Sequence, residues 1–175
     1  MAKKPSNRLL RRAIKDIIEP DIAALGFTGK YPEWQRKSGE EYHFIEIYTA
    51  KYGGSFGISG AWGTAKDFGQ YPPRLPATDF DNRASVMRGI HLWSIDGRPF
   101  THWQSSFDYS LIVSDAEQCQ ELARETLPGL AALERWFATK EYGDGVDTVS
   151  SKIGSAVHPQ LLSNIASAKA ELGLY

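Results

Sequence analysis

The polar side chain with the clearest potential for chemistry lies in an aromatic stretch. The sequence YHFIEIY, residues 42–48, places Glu46 between Tyr42, Phe44 and Tyr48 at two-residue spacing. A carboxylate among aromatic rings could transfer protons as an acid or base, or it could hold the polar end of a ligand that stacks on the rings. The alternative is that a helix or loop packs on this face and that Glu46 pairs with an arginine.

A glycine-rich stretch follows, KYGGSFGISGAWG at residues 51–63. It lacks the G-x-x-x-x-G-K-[ST] spacing of a phosphate loop and the G-x-G-x-x-G of a dinucleotide fold, and no helix follows it. The glycines are therefore predicted to lie in a strand. One face of that strand carries only small residues, which predicts either a close approach by another element or a shallow trough. These residues are Ser55, Gly57, Ser59, Ala61 and Gly63.

The tetrapeptide Tyr52-Gly53-Gly54-Ser55 predicts a two-residue hairpin turn between the two stretches. Counting back from that turn pairs Tyr48 with Ser59 and Glu46 with Ala61 on one face. The pairs on the other face are mainly apolar: Thr49 with Ile58, Ile47 with Gly60 and Ile45 with Trp62. The aromatic row and the small-residue row then share one face. The predicted binding site consists of Tyr42, Phe44, Glu46, Tyr48, Gly57, Ser59 and Ala61.

Other reactive side chains give weaker signals. No two of the four histidines have the helical i,i+4 spacing of a metal site. We therefore expect no metal, although His91 and His102 could converge with Asp96 and Asp108 if their strands pair. Ser59 lacks the G-x-S-x-G context of a nucleophile elbow, and no cofactor loop is recognised, so we expect no cofactor.

Composition narrows the class of protein. The 175 residues are enough for one domain, and a single cysteine, Cys119, excludes an internal disulfide and fits a reducing compartment. The net charge is -1, so no overall field favours nucleic acid. The basic N-terminal residues up to Lys15 are interpreted as a solvated helix face, the alternative being an arm that binds nucleic acid. Because neither a signal peptide nor a membrane span is recognised, we expect a cytoplasmic protein without a membrane partner.

The periodicity of apolar residues predicts an α+β fold. It indicates helices over 8–25, with an irregularity at Pro20, and over 115–142, interrupted at Pro128; strands are expected over 34–36, 42–52, 55–63, 85–95 and 101–113. Ser114 is predicted to cap the helix that follows it. Residues 64–82 are predicted to form a loop. We expect one two-layer domain over 1–142, a linker over 143–155 and a C-terminal helix over 156–175.

In that arrangement an antiparallel sheet of about five strands is covered by the helices mainly on one face. The predicted core face bears Ile45, Ile47, Ile58 and Trp62. Cys119 falls on the apolar side of a helix, where we expect a buried and unreactive thiol.

The pattern resembles the bacterial domain-of-unknown-function 4304 family (DUF4304) over roughly residues 8–142. The resemblance rests on a helix followed by Leu25-Gly26-Phe27, a Trp34-x-Arg36 strand and a Phe56-x-Ile58 strand. It implies a small α+β domain with an antiparallel sheet and no assigned activity. Members of that family carry amides on the second and third strands, where this chain has Glu46, Tyr48 and Ser59.

These features favour a non-catalytic binding or protein-interaction module, with a protein or small molecule as partner. Immunity proteins that neutralise toxins are one such class. The alternative is a small hydrolase or transferase that uses Glu46 as acid or base.

Overall fold

The structure, a computed structural model, describes residues 7–50, 53–64, 82–87, 90–95, 98–103, 106–143 and 145–148, with the backbone alone for 90–95, 98–103 and 147–148. It shows an antiparallel sheet with helices packed on it, which confirms the predicted α+β class. In chain order the strands are β1 Thr28–Lys30, β2 Glu33–Ser38, β3 Glu41–Thr49, β4 Ser55–Thr64, β5 Arg83–Val86, β6 Ile90–Ile95, β7 Arg98–Trp103, β8 Phe107–Asp108 and β9 Val146–Thr148.

Among the described residues, seven strands form the main sheet, in the order β1-β2-β3-β4-β5-β9 with β8 paired to β4. Strands β6 and β7 form a separate two-stranded sheet. The long central strand β3 is rich in aromatic and β-branched residues, which suit a pleated and buried surface, whereas its neighbour β4 carries glycine, serine and alanine between Phe56, Ile58 and Trp62.

The N-terminal helix is built in three parts, α1 (Arg8–Ala13), a π-helical turn (Ile14–Ile18) and α2 (Glu19–Ala24). The π turn comes directly before Pro20, whose ring clashes with the carbonyl four residues earlier and which has no amide hydrogen to donate. The irregularity predicted at this proline thus takes the form of one widened turn.

Gly26 ends this helix, as predicted, with a φ of 82° that a residue with a Cβ seldom adopts. Its N–H donates to the Ala23 carbonyl at 2.9 Å, and the Phe27 N–H donates to Ile22 at 3.3 Å. This pair of bonds is a Schellman motif, which satisfies carbonyls left over at the helix end and returns the chain to the sheet.

The register of β3 and β4 differs from the predicted one by two residues. Ile47 pairs with Ile58 rather than with Gly60, and Glu46 pairs with Ser59 rather than with Ala61. The Ala50 N–H donates to the Ser55 carbonyl at 3.0 Å, so the connection spans residues 51–54 instead of two glycines. Because side chains alternate with a period of two, the shift leaves every residue on its predicted face.

Two helices follow the last strand of the hairpin region, α3 (Ala116–Arg124) and α4 (Leu127–Thr139). The predicted cap at Ser114 is wrong: the Asp115 carboxylate accepts from the N–H groups of Glu117 and Gln118, each at 3.0 Å. Asp115 has the extended backbone of an N-cap, which brings its carboxylate to these amides. Pro128 lies in the first turn of α4, where its missing N–H has no helical partner to lose.

Helix α4 packs directly on the predicted core face of the sheet. A Cβ at Gly60 would lie 2.9 Å from both Leu133 Cδ2 and Phe137 Cζ, so glycine is what allows this approach. Ile45, Ile47 and Ile58 are buried in the same core, as predicted. Trp62 is half-buried and packs against the edge of the core.

Two predicted strands are divided in the structure. Residues 85–95 contribute to β5 and β6, which belong to different sheets. Residues 101–113 contribute to β7 and β8 and then turn, because the Asp108 carboxylate accepts from the Ser110 N–H at 2.7 Å and the Ile112 N–H donates to Tyr109 at 3.1 Å. Leu111, which lies in the predicted strand, is 95% exposed at this turn.

Part of the predicted linker over 143–155 forms a strand of the main sheet. Val146–Thr148 forms β9 and pairs with β5, and Val146 is buried against the core. The predicted C-terminal helix over 156–175 and most of the predicted loop over 64–82 lie outside the described residues.

Candidate functional site

The predicted aromatic and small-residue rows lie side by side on the sheet face opposite α4. The register pairs Phe44 with Ala61, Glu46 with Ser59 and Tyr48 with Gly57, and directly opposed residues point to the same side of a sheet. Tyr42 lies on this face at the other end of β3. The structure thus brings all seven predicted site residues onto one face.

Most of that face is buried. Tyr42, Phe44 and Ala61 form a small hydrophobic cluster of their own. The ring of Tyr48 lies on Gly57, where any Cβ would collide with the Cζ and Oη of the phenol. The small residues of β4 therefore give room to an aromatic ring from β3, and Tyr48 itself is only half-buried.

A row of polar residues crosses this face from strand to strand. Glu46 on β3 opposes Ser59 on β4, and Ser59 opposes Ser85 on β5. Glu33 continues the row on β2, opposite Glu46, and the register places Asp147 opposite Ser85. We call these five residues the polar row.

Ser59 is the unusual member of the polar row. It is fully buried, and its hydroxyl has no hydrogen-bond partner among the residues that the structure describes. Burying a hydroxyl without a partner costs free energy, and native proteins usually avoid it. An unpaired hydroxyl directly opposite a carboxylate is therefore a candidate contact for a ligand.

A second polar cluster lies on the helix side of the sheet, where Arg36 and His43 are register partners on β2 and β3. Arg36 donates to the Leu25 carbonyl at 2.7 Å, to Glu134 Oε1 at 2.9 Å and, through Nε, to His43 Nδ1 at 3.2 Å. Its guanidinium also lies over the Phe27 ring at 4.5 Å. Arg36 thereby joins the β2–β3 hairpin to the end of α2 and to α4.

The hydrogen bonds of His43 determine its protonation state. Arg36 can only donate, so Nδ1 carries the lone pair and Nε2 carries the hydrogen, which it donates to Glu41 at 2.9 Å. Burial lowers the pKa of His43, and the charges of Arg36 and Lys140 add to that effect against the opposing influence of Glu41. The ring also stacks on Phe137 with centroids 4.4 Å apart. His43 is thus a neutral residue with both nitrogens engaged inside the protein.

Glu41 completes this cluster by accepting from Lys140, which also donates to the Phe137 carbonyl at 2.6 Å. Burial would raise the pKa of Glu41, but the hydrogen bonds from Lys140 and His43 outweigh it and lower the pKa. These contacts anchor the last turn of α4 to β3. We interpret the cluster as structural. Sequence reasoning missed it because Arg36 and Glu134 are far apart in the chain.

The remaining reactive groups are placed as follows. Among the described residues, no group of three or more His, Cys, Asp or Glu side chains could hold a metal ion. His91 and His102 are register partners on β6 and β7, whereas Asp108 belongs to β8, paired with β4, and Asp96 lies outside the described residues. Cys119 is fully buried, which raises the pKa of its thiol.

Within the part of the chain that the structure describes, no helix has the length and apolar character needed to cross a membrane. In comparisons with known proteins, no family profile, curated protein or solved structure matches this chain.

Proposed function

We propose that this chain is a cytoplasmic, non-catalytic binding module and that its ligand contacts the sheet face at Glu46 and Ser59. The observation that carries the proposal is the fully buried Ser59 hydroxyl, which lacks a hydrogen-bond partner within the described part of the chain and belongs to the register partner of Glu46. A hydroxyl that costs stability in the free protein has a role if a bound group supplies the missing hydrogen bond.

The surroundings of this hydroxyl suit recognition. Glu46 is half-buried, and the ring of Tyr48 lies on Gly57, the residue opposite it on β4. Because Tyr48 is half-buried, its ring is the part of the aromatic row that an approaching ligand would contact first. A few placed polar groups within an aromatic surface are typical of ligand sites.

A protein partner is compatible with the same face, and an immunity protein that neutralises a toxin would be one example. The resemblance to the DUF4304 family stays a prediction and adds no activity to this proposal.

The proposal is tested by a melting-temperature screen of small polar compounds, run in parallel on the wild type and on Ser59→Ala. A compound bound at the site should raise the melting temperature of the wild type by clearly more than that of the variant, since binding to the native state stabilises it. Compounds that stabilise both proteins equally would bind elsewhere. If every hit behaves in that way, the site assignment is wrong.

Glu46 also supports a second candidate function, a small hydrolase or transferase in which it acts as acid or base. The favouring observation is that one oxygen of this carboxylate, Oε2, is buried, and that the register partner of Glu46 carries a hydroxyl. Glu46→Gln keeps the shape but removes the proton-transferring group, so turnover should collapse while binding persists. Glu33→Gln, which removes a carboxylate from the exposed edge of the same face, is the matched control.

A further inference from the structure

We infer that the exposed side of the N-terminal helix binds the phosphate backbone of a nucleic acid. We call this side the basic face; it consists of Arg8, Arg11, Arg12 and Lys15, all of which are exposed. Their spacing of three and four residues puts them on one side of a helix. The inference concerns a different part of the molecule from the proposed function and does not depend on it.

The packing of the helix fixes the direction of the basic face. The opposite side carries Leu10, Ala13 and Ile14, which are buried in the core and no more than 2% exposed. A helix that lies on a membrane has to place its apolar side in the lipid, and this helix has already buried its own apolar side within the protein. The basic face therefore offers charge and hydrogen-bond donors to a partner in water.

The positive charge of the basic face is mostly uncompensated. Residues 8–15 contain four cations and no carboxylate. Within the described part of the chain, the only ion pair of this face joins Arg12 to Asp16 at 3.5 Å, and helix α3, which packs beside α1, contributes none. Like charges three or four residues apart destabilise a helix, and a polyanion lying along them would remove that repulsion.

Arg11 is held in a position that suits a nucleic acid. Its Cζ lies 5.1 Å from the centre of the Tyr31 ring, and Tyr31 is fixed in turn because it packs against the core and its N–H donates to Glu19 at 3.2 Å. A side chain that is already ordered loses less conformational entropy on binding. A guanidinium binds phosphate through two hydrogen bonds and also stacks on bases. An acidic peptide would use the charges of this face but has no base to stack there.

The expected affinity comes from this face alone, because the net charge of the whole chain is -1. Binding through phosphate contacts releases counterions and is therefore sensitive to salt. For three or four contacts with a single strand, the logarithm of the binding constant should fall with the logarithm of the salt concentration with a slope of about -2 to -3. An increase from about 50 to about 200 mM salt should thus weaken binding roughly 20- to 50-fold.

The test is a fluorescence-anisotropy titration of a labelled oligothymidylate of about 20 bases with the full chain at several salt concentrations. Arg8→Gln/Lys15→Gln should weaken binding about ten-fold or more at low salt and make the slope less negative by about 1 to 1.5. The matched control is Lys37→Gln/Arg124→Gln, which removes the same charge from exposed positions on β2 and α3 and should have little effect. Because all four residues are exposed, both variants should keep the wild-type melting temperature.

A further variant, Arg11→Lys, separates stacking from charge. The ammonium keeps the positive charge but loses the planar group that stacks, so binding should weaken several-fold while the salt slope stays unchanged.

Several outcomes would overturn the inference. Failure of the oligothymidylate to bind at low salt is the simplest, and equal weakening by the control variant would show attraction to the protein as a whole. Unlabelled poly-glutamate that displaces the probe as well as unlabelled oligothymidylate does would indicate an acidic protein as the partner. Binding to phosphatidylserine vesicles without binding to the oligonucleotide would indicate a membrane surface. Each of these results leaves the proposed function to its own screen with Ser59→Ala.

Discussion

Replacing Arg36 should be among the most destabilising single changes in the polar clusters of this protein. The guanidinium side chain is 14% exposed and bonds the Leu25 carbonyl, His43 and Glu134. Arg36→Ala leaves the Leu25 carbonyl and His43 without their donor, and each unsatisfied acceptor costs roughly 1–3 kcal/mol of stability. The Glu134 side chain is 38% exposed, so solvent screens that pair and we assign it less than about 1 kcal/mol. The expected loss in the free energy of unfolding is about 3–5 kcal/mol.

The assay is urea unfolding followed by tryptophan fluorescence, with the midpoint compared at unchanged slope. Arg36→Lys should give an intermediate loss, since an ammonium keeps the charge but not the forked geometry. The matched control is Arg12→Ala, because Arg12 is 81% exposed and lies 3.5 Å from Asp16, and it should change stability by less than about 0.5 kcal/mol. A loss for Arg36→Ala within about 1 kcal/mol of that control would refute the conclusion that Arg36 joins the β2–β3 hairpin to α2 and α4.

Three further predictions concern the fold. The pKa of His43 lies below its ordinary value of 6.5, so as pH falls the unfolded chain binds the proton before the folded protein does. The free energy of unfolding should therefore decline as pH falls below about 6.5. Urea unfolding at several pH values measures this decline, and His43→Gln should flatten it. Asp115→Ala should cost about 1 kcal/mol in thermal or urea unfolding while Ser114→Ala costs little, and equal effects would contradict the cap assignment. Gly60→Ala should lower the melting temperature by overpacking against α4, costing about 1–3 kcal/mol, and an unchanged melt would contradict the close packing at this strand.

The sequence predicted the fold class and the faces of the central strands because these depend on local periodicity. Ile45, Ile47 and Ile58 lie in the core as expected, and a register error of two residues did not move them. That error arose because the glycines at 53 and 54 are also compatible with a longer connection, whose length depends on pairing along the whole hairpin. Ser114 and Asp115 are both good capping residues, and only the backbone geometry distinguishes them.

The candidate site was predicted in composition but not in its arrangement. The residues Glu46, Tyr48 and Ser59 were identified from their spacing, whereas the opposition of Glu46 to Ser59 required the observed register. The burial of Ser59 without a partner could not be predicted, because it depends on side chains that are distant in the chain. The Arg36–His43–Glu134 contacts were missed for the same reason.

The most direct measurement of the central claim is the free energy of unfolding of Ser59→Ala in the absence of any ligand. If the buried hydroxyl has no partner, its removal should stabilise the protein by about 1 kcal/mol or more. The matched control is Thr126→Val, since Thr126 is also fully buried but donates to the Ala123 carbonyl at 2.7 Å, and it should destabilise the protein. Greater stability for Ser59→Ala with a loss for Thr126→Val is the predicted result. A loss for Ser59→Ala comparable to that of Thr126→Val would show that the hydroxyl is bonded within the protein and would contradict its assignment to a ligand.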